Sequence, residues 1–104
     1  MKRVLLTFAA LAAVTAAAPA MADEALAKAK NCMACHALDK RLVGPSYKDV
    51  ARKYAPDGGA AVDKLVQKVL KGGSGVWGVV PMPPNAGVND AEARKLVAWI
   101  LTLE

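Results

Sequence analysis

Both cysteines and the only histidine of this chain fall within five residues, at positions 32–36. Two residues separate Cys32 from Cys35, and His36 follows the second cysteine directly. With these side chains confined to one segment, the chain cannot form a disulfide-dense scaffold, a cage of several histidines, or a catalytic set that needs a second imidazole. The thiol and imidazole groups of the chain therefore all lie in this one short segment.

The order Cys-x-x-Cys-His is typical of a covalent haem attachment site. Two thiols three positions apart on a helical turn can reach the two vinyl groups along one haem edge and form thioethers. The next residue can then place its imidazole beneath the ring and bind the iron as its proximal ligand. The segment therefore predicts one haem c bound through Cys32 and Cys35, with His36 on the iron.

Three other interpretations of this segment are weaker. A structural zinc ion needs four ligands, and the sequence has no second cysteine pair or second histidine to complete the set. A thioredoxin-like redox pair belongs beside a strand–helix–strand pattern, which this sequence lacks. A simple disulfide between Cys32 and Cys35 would not explain how a domain with so small a core is stable. We therefore favour haem attachment.

Residues 1–22 have the order of a secretory signal peptide: a basic start, an apolar stretch rich in alanine, and a small-residue cleavage pattern at Ala20-Met21-Ala22. The alternative is a retained membrane anchor, because the apolar stretch 4–22 approaches the length of a minimal membrane span. Pro19 and the high alanine content argue against an anchor. We expect cleavage after Ala22, export to a bacterial periplasm, and a mature domain at residues 23–104.

The mature domain would have only about 80 residues, a size at which a core of side chains alone is marginal. A disulfide, a metal or a large apolar cofactor is therefore expected to complete the core. Loss of Lys2 and Arg3 would lower the net charge from +5 to +3, and no long block of basic residues remains. We expect no nucleic-acid partner; the modest positive charge fits an acidic protein, a membrane surface or solubility alone.

Helical periodicity and the lack of an alternating strand pair predict an all-α fold. The expected helices run from an N-cap near Asp23 towards Cys32, from Ser46 towards a Pro-Asp-Gly-Gly stop, from about Ala60 to Lys71, and from Asn89 to the end of the chain. Residues 72–88, between the last two helices, are rich in glycine and proline. An irregular stretch of this length in a small domain is expected to wrap a bound group.

The second iron ligand is predicted by elimination. His36 is the only histidine, and Met1 and Met21 would leave with the leader. Met33 lies between the two anchoring cysteines, where the backbone cannot carry it to the opposite haem face. Met82 remains, in a Pro-Met-Pro-Pro segment whose prolines fix φ and prevent helix formation. A methionine is often only a core filler, but this stiff loop favours Met82 as the sixth ligand.

Taken together, these motifs resemble the small bacterial class I c-type cytochromes, of the short single-haem type that donates electrons to cytochrome cd nitrite reductase or to terminal oxidases. The resemblance covers residues 23–104 and rests on the segments 32–36, 43–45, 72–78, 81–84 and the closing amphipathic helix. It implies the class I cytochrome c fold, in which about four short helices wrap one covalently attached haem. It also implies that the Pro45 carbonyl accepts a hydrogen bond from the His36 ring nitrogen that does not bind the iron. Trp77 is implied to donate its indole N–H to a haem propionate, although Trp77 could instead serve only as packing.

The function implied is that of a periplasmic single-electron carrier whose haem iron cycles between Fe(II) and Fe(III) with His/Met ligation. Such a protein is not an enzyme, has no small-molecule substrate and is expected to be a monomer. Its expected partners are a cytochrome bc-type donor and a nitrite reductase or terminal oxidase acceptor. The alternatives are a five-coordinate haem enzyme or gas sensor, or a membrane-tethered haem subunit of a respiratory oxidoreductase.

A docking rim of basic side chains is expected around the exposed haem edge. The candidates are Lys30, Lys40, Arg41, Lys68 and Lys71, each of which could equally be an ordinary solvated charge.

Overall fold

The structure, a computed structural model, describes residues 19–103 and the isolated position 10. Most of the predicted signal peptide, residues 1–22, lies outside the described residues. None of the helices described is long and apolar enough to cross a membrane. The described part of the chain contains four α-helices and no strand: α1 (Pro19–Ala29), α2 (Tyr47–Tyr54), α3 (Ala60–Lys71) and α4 (Asp90–Ile100). The all-α prediction is therefore confirmed.

The start of α1 differs from the prediction. The helix begins at Pro19, and Asp23 lies inside it rather than at its N-cap. A proline is well tolerated in the first turn because its N–H is not needed there, and the alanines that follow have the highest helix propensity. At the other end, Asn31 takes a left-handed conformation with φ of 63° and directs the chain into a short 3₁₀ turn, Cys32–Ala34.

The second helix begins and packs as the sequence predicts. The Ser46 hydroxyl accepts a hydrogen bond of 3.1 Å from the backbone N–H of Asp49, which satisfies one of the free donors at the helix start. The apolar face of the helix is buried along its whole length, and its members are Tyr47, Val50, Ala51 and Tyr54. A second 3₁₀ turn, Ala55–Asp57, follows the helix before the glycine pair.

The third and fourth helices also follow the prediction. The bounds of α3 match it, and Ala61, Leu65 and Val66 form its buried face. Asn89 and Glu92 form a complete capping box: the Asn89 side chain accepts from the Glu92 N–H at 2.8 Å, and the Glu92 carboxylate accepts from the Asn89 N–H at 3.1 Å. The helix ends at Ile100, slightly before the end of the chain.

Helix α4 forms the centre of the fold because it packs against both α1 and α3. Its apolar face is almost fully buried, and Trp99 lies in the core. The Trp99 ring meets the Tyr47 ring edge-on, with 5.6 Å between the centroids. This contact joins α4 to the start of α2 and so places Tyr47 next to the Cys-x-x-Cys-His segment.

Candidate haem-binding cleft

An apolar cleft with about 1010 Å³ of empty space, open to solvent, lies between the helices and the stretch that connects α3 to α4. The helices supply its apolar floor with Val50, Leu65, Val69, Val97 and Ile100. A second cavity of about 670 Å³ shares Cys35, His36 and Met82 with the first. The two cavities therefore form adjoining parts of one cleft.

The two cysteines lie at the edge of this cleft on the 3₁₀ turn. The Cys32 carbonyl accepts from the N–H groups of Cys35 and His36, at 3.2 and 3.1 Å, so the turn closes on itself. Both thiols are half-buried, and both line the second cavity. Burial raises the pKa of the Cys32 thiol, against a smaller lowering by a hydrogen bond from Tyr47.

His36 is held from several sides. Its Nδ1 lies 2.8 Å from the carbonyl oxygen of Pro45, a buried residue. Since a carbonyl can only accept, Nδ1 carries the proton in this bond, and Nε2 is the nitrogen that can bind a metal. The Tyr47 ring stacks on the imidazole at 4.9 Å between centroids, with 19° between the planes. A Cβ at Gly44 would lie only 2.6 Å from the imidazole Cε1.

Met82 lines both parts of the cleft, in the irregular stretch that the sequence singled out. Its backbone pairs with that of Gly73: the Met82 N–H donates to the Gly73 carbonyl at 2.8 Å, and the Gly73 N–H donates to the Met82 carbonyl at 3.0 Å. Beyond the prolines, the Asn85 side chain donates to the Val69 carbonyl at 2.8 Å and ties the stretch to α3. Met33 instead packs against the hydrophobic core and lines neither cavity.

Trp77 lies on the cleft wall, half-buried. Its carbonyl accepts a hydrogen bond of 3.0 Å from Nη2 of Arg41, and the Lys53 ammonium lies 5.6 Å from the centre of its ring. The second contact is within the range of a cation–π interaction. The role predicted for the indole N–H, donation to a haem propionate, stays a prediction.

The five residues predicted to form the docking rim differ in their contacts and exposure. The Lys30 ammonium donates to the Gly87 carbonyl at 2.9 Å and pairs with Glu92 at 3.2 Å, so it joins the end of α1 to the start of α4. The Lys68 ammonium lies against Gly73, where a Cβ would be 2.6 Å from Nζ. The remaining three candidates are exposed, namely Lys40, Arg41 and Lys71. Exposed apolar side chains also lie in the two loops at the cleft, namely Leu42, Val43, Val76, Val79 and Val80.

The residues of the cleft fit one haem c. The apolar floor suits the macrocycle, and the charged side chains that line the first cavity, Arg41 and Lys68, are basic and suit the propionates. Cys32 and Cys35 would form the thioethers, while His36 and Met82 would bind the iron. Within the described part of the chain, no group of three or more histidine, cysteine, aspartate or glutamate side chains could hold a metal ion, as a structural zinc site would need.

Sequence reasoning missed three contributors to this site. Gly44 was only part of a motif, Tyr47 had no predicted role in the site, and Arg41 was only a candidate for the docking rim. Each acts through a contact with a residue that lies outside its own local pattern, and no local signal indicates such a contact. The glycine- and proline-rich stretch 72–88 was expected to wrap a bound group, without any indication of which of its residues approach another segment.

The chain is similar to several known proteins. Residues 21–104 match the family model described as Cytochrome c. Cytochrome c-552 of Hydrogenobacter thermophilus is 54% identical over 104 residues, which covers 100% of both chains. Cytochrome c-551 of Allochromatium vinosum is 53% identical over 94 residues, covering 90% of this chain and 99% of that relative. The crystal structure of wild-type Nitrosomonas europaea cytochrome c552 superposes with a TM-score of 0.75 at 52% identity, covering 78% of this chain and 99% of the other.

Proposed function

This chain belongs to the cytochrome c family, and we propose that it is a periplasmic one-electron carrier whose haem iron is bound by His36 and Met82. It has the class I cytochrome c fold, carries one covalently attached haem c, and acts as a small electron carrier, as its relatives at about half identity do. Attachment through Cys32 and Cys35 is the part of the proposal that follows from the Cys-x-x-Cys-His motif.

The observation that carries the ligand assignment is that His36 and Met82 line the same cleft from separate loops. The Pro45 carbonyl orients the imidazole with Nε2 left for the iron, and the pairing with Gly73 fixes the Met82 backbone. The haem, when bound, supplies an iron that exchanges one electron between Fe(II) and Fe(III). A methionine sulfur favours the reduced state and raises the potential relative to a second histidine.

Two strong protein ligands would leave no coordination position for a substrate, which supports a carrier rather than an enzyme. A five-coordinate enzyme or gas sensor would also need a distal group for proton transfer, and the sequence contains no second histidine for that role. We therefore propose that the protein has no catalytic residue and takes no small-molecule substrate. Its specificity would depend on which redox proteins can dock at the cleft.

Export to the periplasm is supported by the leader-like order of residues 1–22. The proposal predicts that the purified periplasmic protein has the mass of residues 23–104 plus one haem, which remains bound through acid–organic extraction. A mass that still includes Met1 would support the membrane-tethered alternative, and a haem that extracts freely would contradict thioether attachment.

Electron transfer with partner proteins is proposed to occur at the cleft mouth, where the loops of Val43 and Val80 leave apolar side chains exposed. A cytochrome bc-type donor and a nitrite reductase or terminal oxidase acceptor are the proposed partners. An exposed apolar patch beside basic residues suits a partner with an apolar contact area and a surrounding acidic rim.

Replacement of Met82 tests the proposal directly. The oxidised native protein should be low-spin and show the weak sulfur-to-iron charge-transfer band of methionine ligation. Met82→Ala should remove this band, lower the potential and open the iron to carbon monoxide. Met33→Leu is the matched control and should change none of the three, because Met33 packs against the core. Rapid carbon monoxide binding by the reduced native protein, or a band that survives in Met82→Ala, would contradict His/Met ligation.

A further inference from the structure

The two loops that carry the proposed iron ligands are each closed by a backbone pair. In the His36 loop, residues 36–41, His36 and Arg41 form an isolated antiparallel bridge. In the Met82 loop, residues 73–82, Gly73 and Met82 form another such bridge. Each proposed ligand therefore stands at one end of a closed loop, and the residue at the far end of the His36 loop is Arg41.

Arg41 connects these two loops through its side chain. Its Nη2 donates to the Trp77 carbonyl at 3.0 Å, and it is the nearest neighbour that a Cβ at Gly78 would meet, at 3.9 Å. Trp77 and Gly78 lie near the middle of the Met82 loop, in a turn closed by a bond of 2.9 Å from the Gly75 N–H to the Gly78 carbonyl. One guanidinium therefore spans from the end of the His36 loop to the tip of the Met82 loop.

At the tip of the Met82 loop Trp77 packs against the core, but the residues that follow it have little apolar packing. Val79 is 93% exposed and Val80 is 57% exposed. Segments with few buried apolar contacts open at a lower free-energy cost than the core does. A hydrogen bond from another loop should therefore contribute a large share of the local stability at this point.

We propose that Arg41 is a positioning residue that holds the Met82 loop against the His36 loop and so limits the detachment of Met82 from the iron. This inference rests on the proposed His36/Met82 ligation. For the sulfur to leave the iron by loop movement, the loop must move away from the His36 side of the cleft, and the Arg41–Trp77 bond opposes that movement. Arg41 touches neither proposed ligand side chain, so its effect is on the population of the attached state.

Imidazole binding measures that population, because exogenous imidazole can reach the ferric iron only while Met82 is detached. The apparent affinity then scales with the detached fraction. Arg41→Met removes the guanidinium but keeps a similar apolar stem. The loss of one hydrogen bond should raise the apparent imidazole affinity about two- to tenfold, since about 1.4 kcal/mol corresponds to a factor of ten. Arg41→Lys keeps a charged donor and should fall between native and Arg41→Met.

Two controls separate a positioning role from a general loss of stability. Arg52→Met removes another exposed arginine, one that pairs with Asp49 on its own helix, and should leave the imidazole affinity unchanged. In a Met82→Ala background there is no sulfur to detach, so Arg41→Met should then have no effect. Hydrogen exchange gives a readout that does not involve iron: the N–H groups of Gly73 and Met82, which close the loop, should exchange faster in Arg41→Met than in native protein.

The outcomes distinguish this inference from the ligand assignment. If native protein binds imidazole as tightly as Met82→Ala does, the proposed Met82 ligation is wrong. If native protein resists imidazole but Arg41→Met has the native affinity and native exchange, the positioning role of Arg41 is wrong. An Arg41→Met effect that persists in the Met82→Ala background also overturns it, because the side chain would then act on the cleft without acting through Met82.

Discussion

Gly44 lies directly against the imidazole of His36: a Cβ built on Gly44 would be 2.6 Å from Cε1 and 2.9 Å from Nδ1. The Gly44 N–H also donates to the Cys35 carbonyl at 2.8 Å, which holds the two segments together. The imidazole also stacks on the Tyr47 ring. The ring therefore occupies a slot whose width depends on the absence of a side chain at position 44.

Gly44→Ala should push the imidazole out of this slot. We expect a loss of about 1–3 kcal/mol in the free energy of unfolding, the usual cost of inserting a methyl group into a tightly packed place. Because the Pro45 carbonyl holds Nδ1, the displacement should also weaken that bond and shift the potential of the haem. Denaturant unfolding and redox titration of the purified holoprotein measure the two effects.

Gly59→Ala is the control for this substitution, since a Cβ at Gly59 meets nothing within 4 Å and its φ of −63° is open to alanine. It should leave the potential unchanged and stabilise slightly or not at all. If Gly44→Ala and Gly59→Ala had the same free energy of unfolding and the same potential, the His36 slot would tolerate a methyl group.

Gly72→Ala should disturb the Met82 side of the cleft. A Cβ at Gly72 would overlap the Met82 carbonyl oxygen, and its φ of 73° with ψ of −170° is a conformation that only glycine adopts easily. Both effects act on the backbone that pairs with Met82. We expect a weaker sulfur-to-iron band and a destabilisation of about 2–4 kcal/mol, since strain and overlap act together.

Gly75→Ala gives a matched comparison for strain alone. Gly75 also has a positive φ, of 96°, but a Cβ there meets nothing within 4 Å. The variant should lose about 1–2 kcal/mol from its backbone conformation and keep its sulfur-to-iron band. If Gly75→Ala loses the band as fully as Gly72→Ala does, the contact between Gly72 and Met82 is not the cause.

The parts of the fold that the sequence predicted are those determined locally. The caps at Ser46 and Asn89 are short-range hydrogen bonds between residues three positions apart, so both could be identified from the amino-acid sequence alone. In the chain before cleavage, α1 starts at Pro19 instead of Asp23 because the proline and alanines that precede Asp23 also favour helix. Local signals compete there, and the stronger propensity extends the helix.

The site could be predicted only where its chemistry requires particular residue types. Cysteine, histidine and methionine are scarce in this chain, so elimination among them is enough to select Met82. The contacts that hold the predicted ligands could not be predicted in the same way. The Tyr47 ring on His36 and the Arg41 bond to Trp77 join residues from separate elements, and only the packing of α2 and of the two loops brings them together.

Glu92 should make the stability of the protein fall in acid. The N–H of Asn89, and then the Lys30 ammonium, hold the pKa of the Glu92 carboxyl below its ordinary value. A carboxyl with a lowered pKa in the folded state contributes stability above the unfolded-state pKa, and this contribution is lost as the pH falls through the folded-state pKa. The free energy of unfolding should therefore decrease from about pH 4.5 downwards.

Glu92→Gln isolates this effect, because the amide oxygen can still accept from the Asn89 N–H but does not titrate. The variant should show a shallower decrease of stability below pH 4.5 than the native protein, measured by denaturant unfolding at several pH values. Identical slopes in the two proteins would show that Glu92 does not contribute to the acid sensitivity.

Lys30 should matter for stability rather than for partner docking. Its ammonium connects the residue after α1 to the Gly87 carbonyl and to the Glu92 carboxylate of α4, so Lys30→Gln removes both contacts. We expect about 0.5–1.5 kcal/mol of destabilisation, since the site is only partly exposed. The rate of electron transfer to an acidic redox protein should stay close to native, and a rate loss as large as that of Lys40→Gln would contradict this assignment.

Val79 should contribute to docking at the cleft mouth, and its contribution to the rate of electron transfer should not depend on salt concentration. Val79 is 93% exposed beside the cleft, where an apolar side chain can contact a partner but is not needed for the fold. Val79→Asn should lower the second-order rate of electron transfer to an acidic acceptor by a similar factor at low and high ionic strength, because salt does not screen an apolar contact. Lys40→Gln should lower the rate mainly at low ionic strength, since charges are screened over about 8 Å at 0.15 M salt.

Stopped-flow measurements of native protein and both variants across a range of salt separate the two contributions. If the effect of Val79→Asn disappears at high salt, the docking surface acts through charge alone, and the apolar contact at the cleft mouth is wrong.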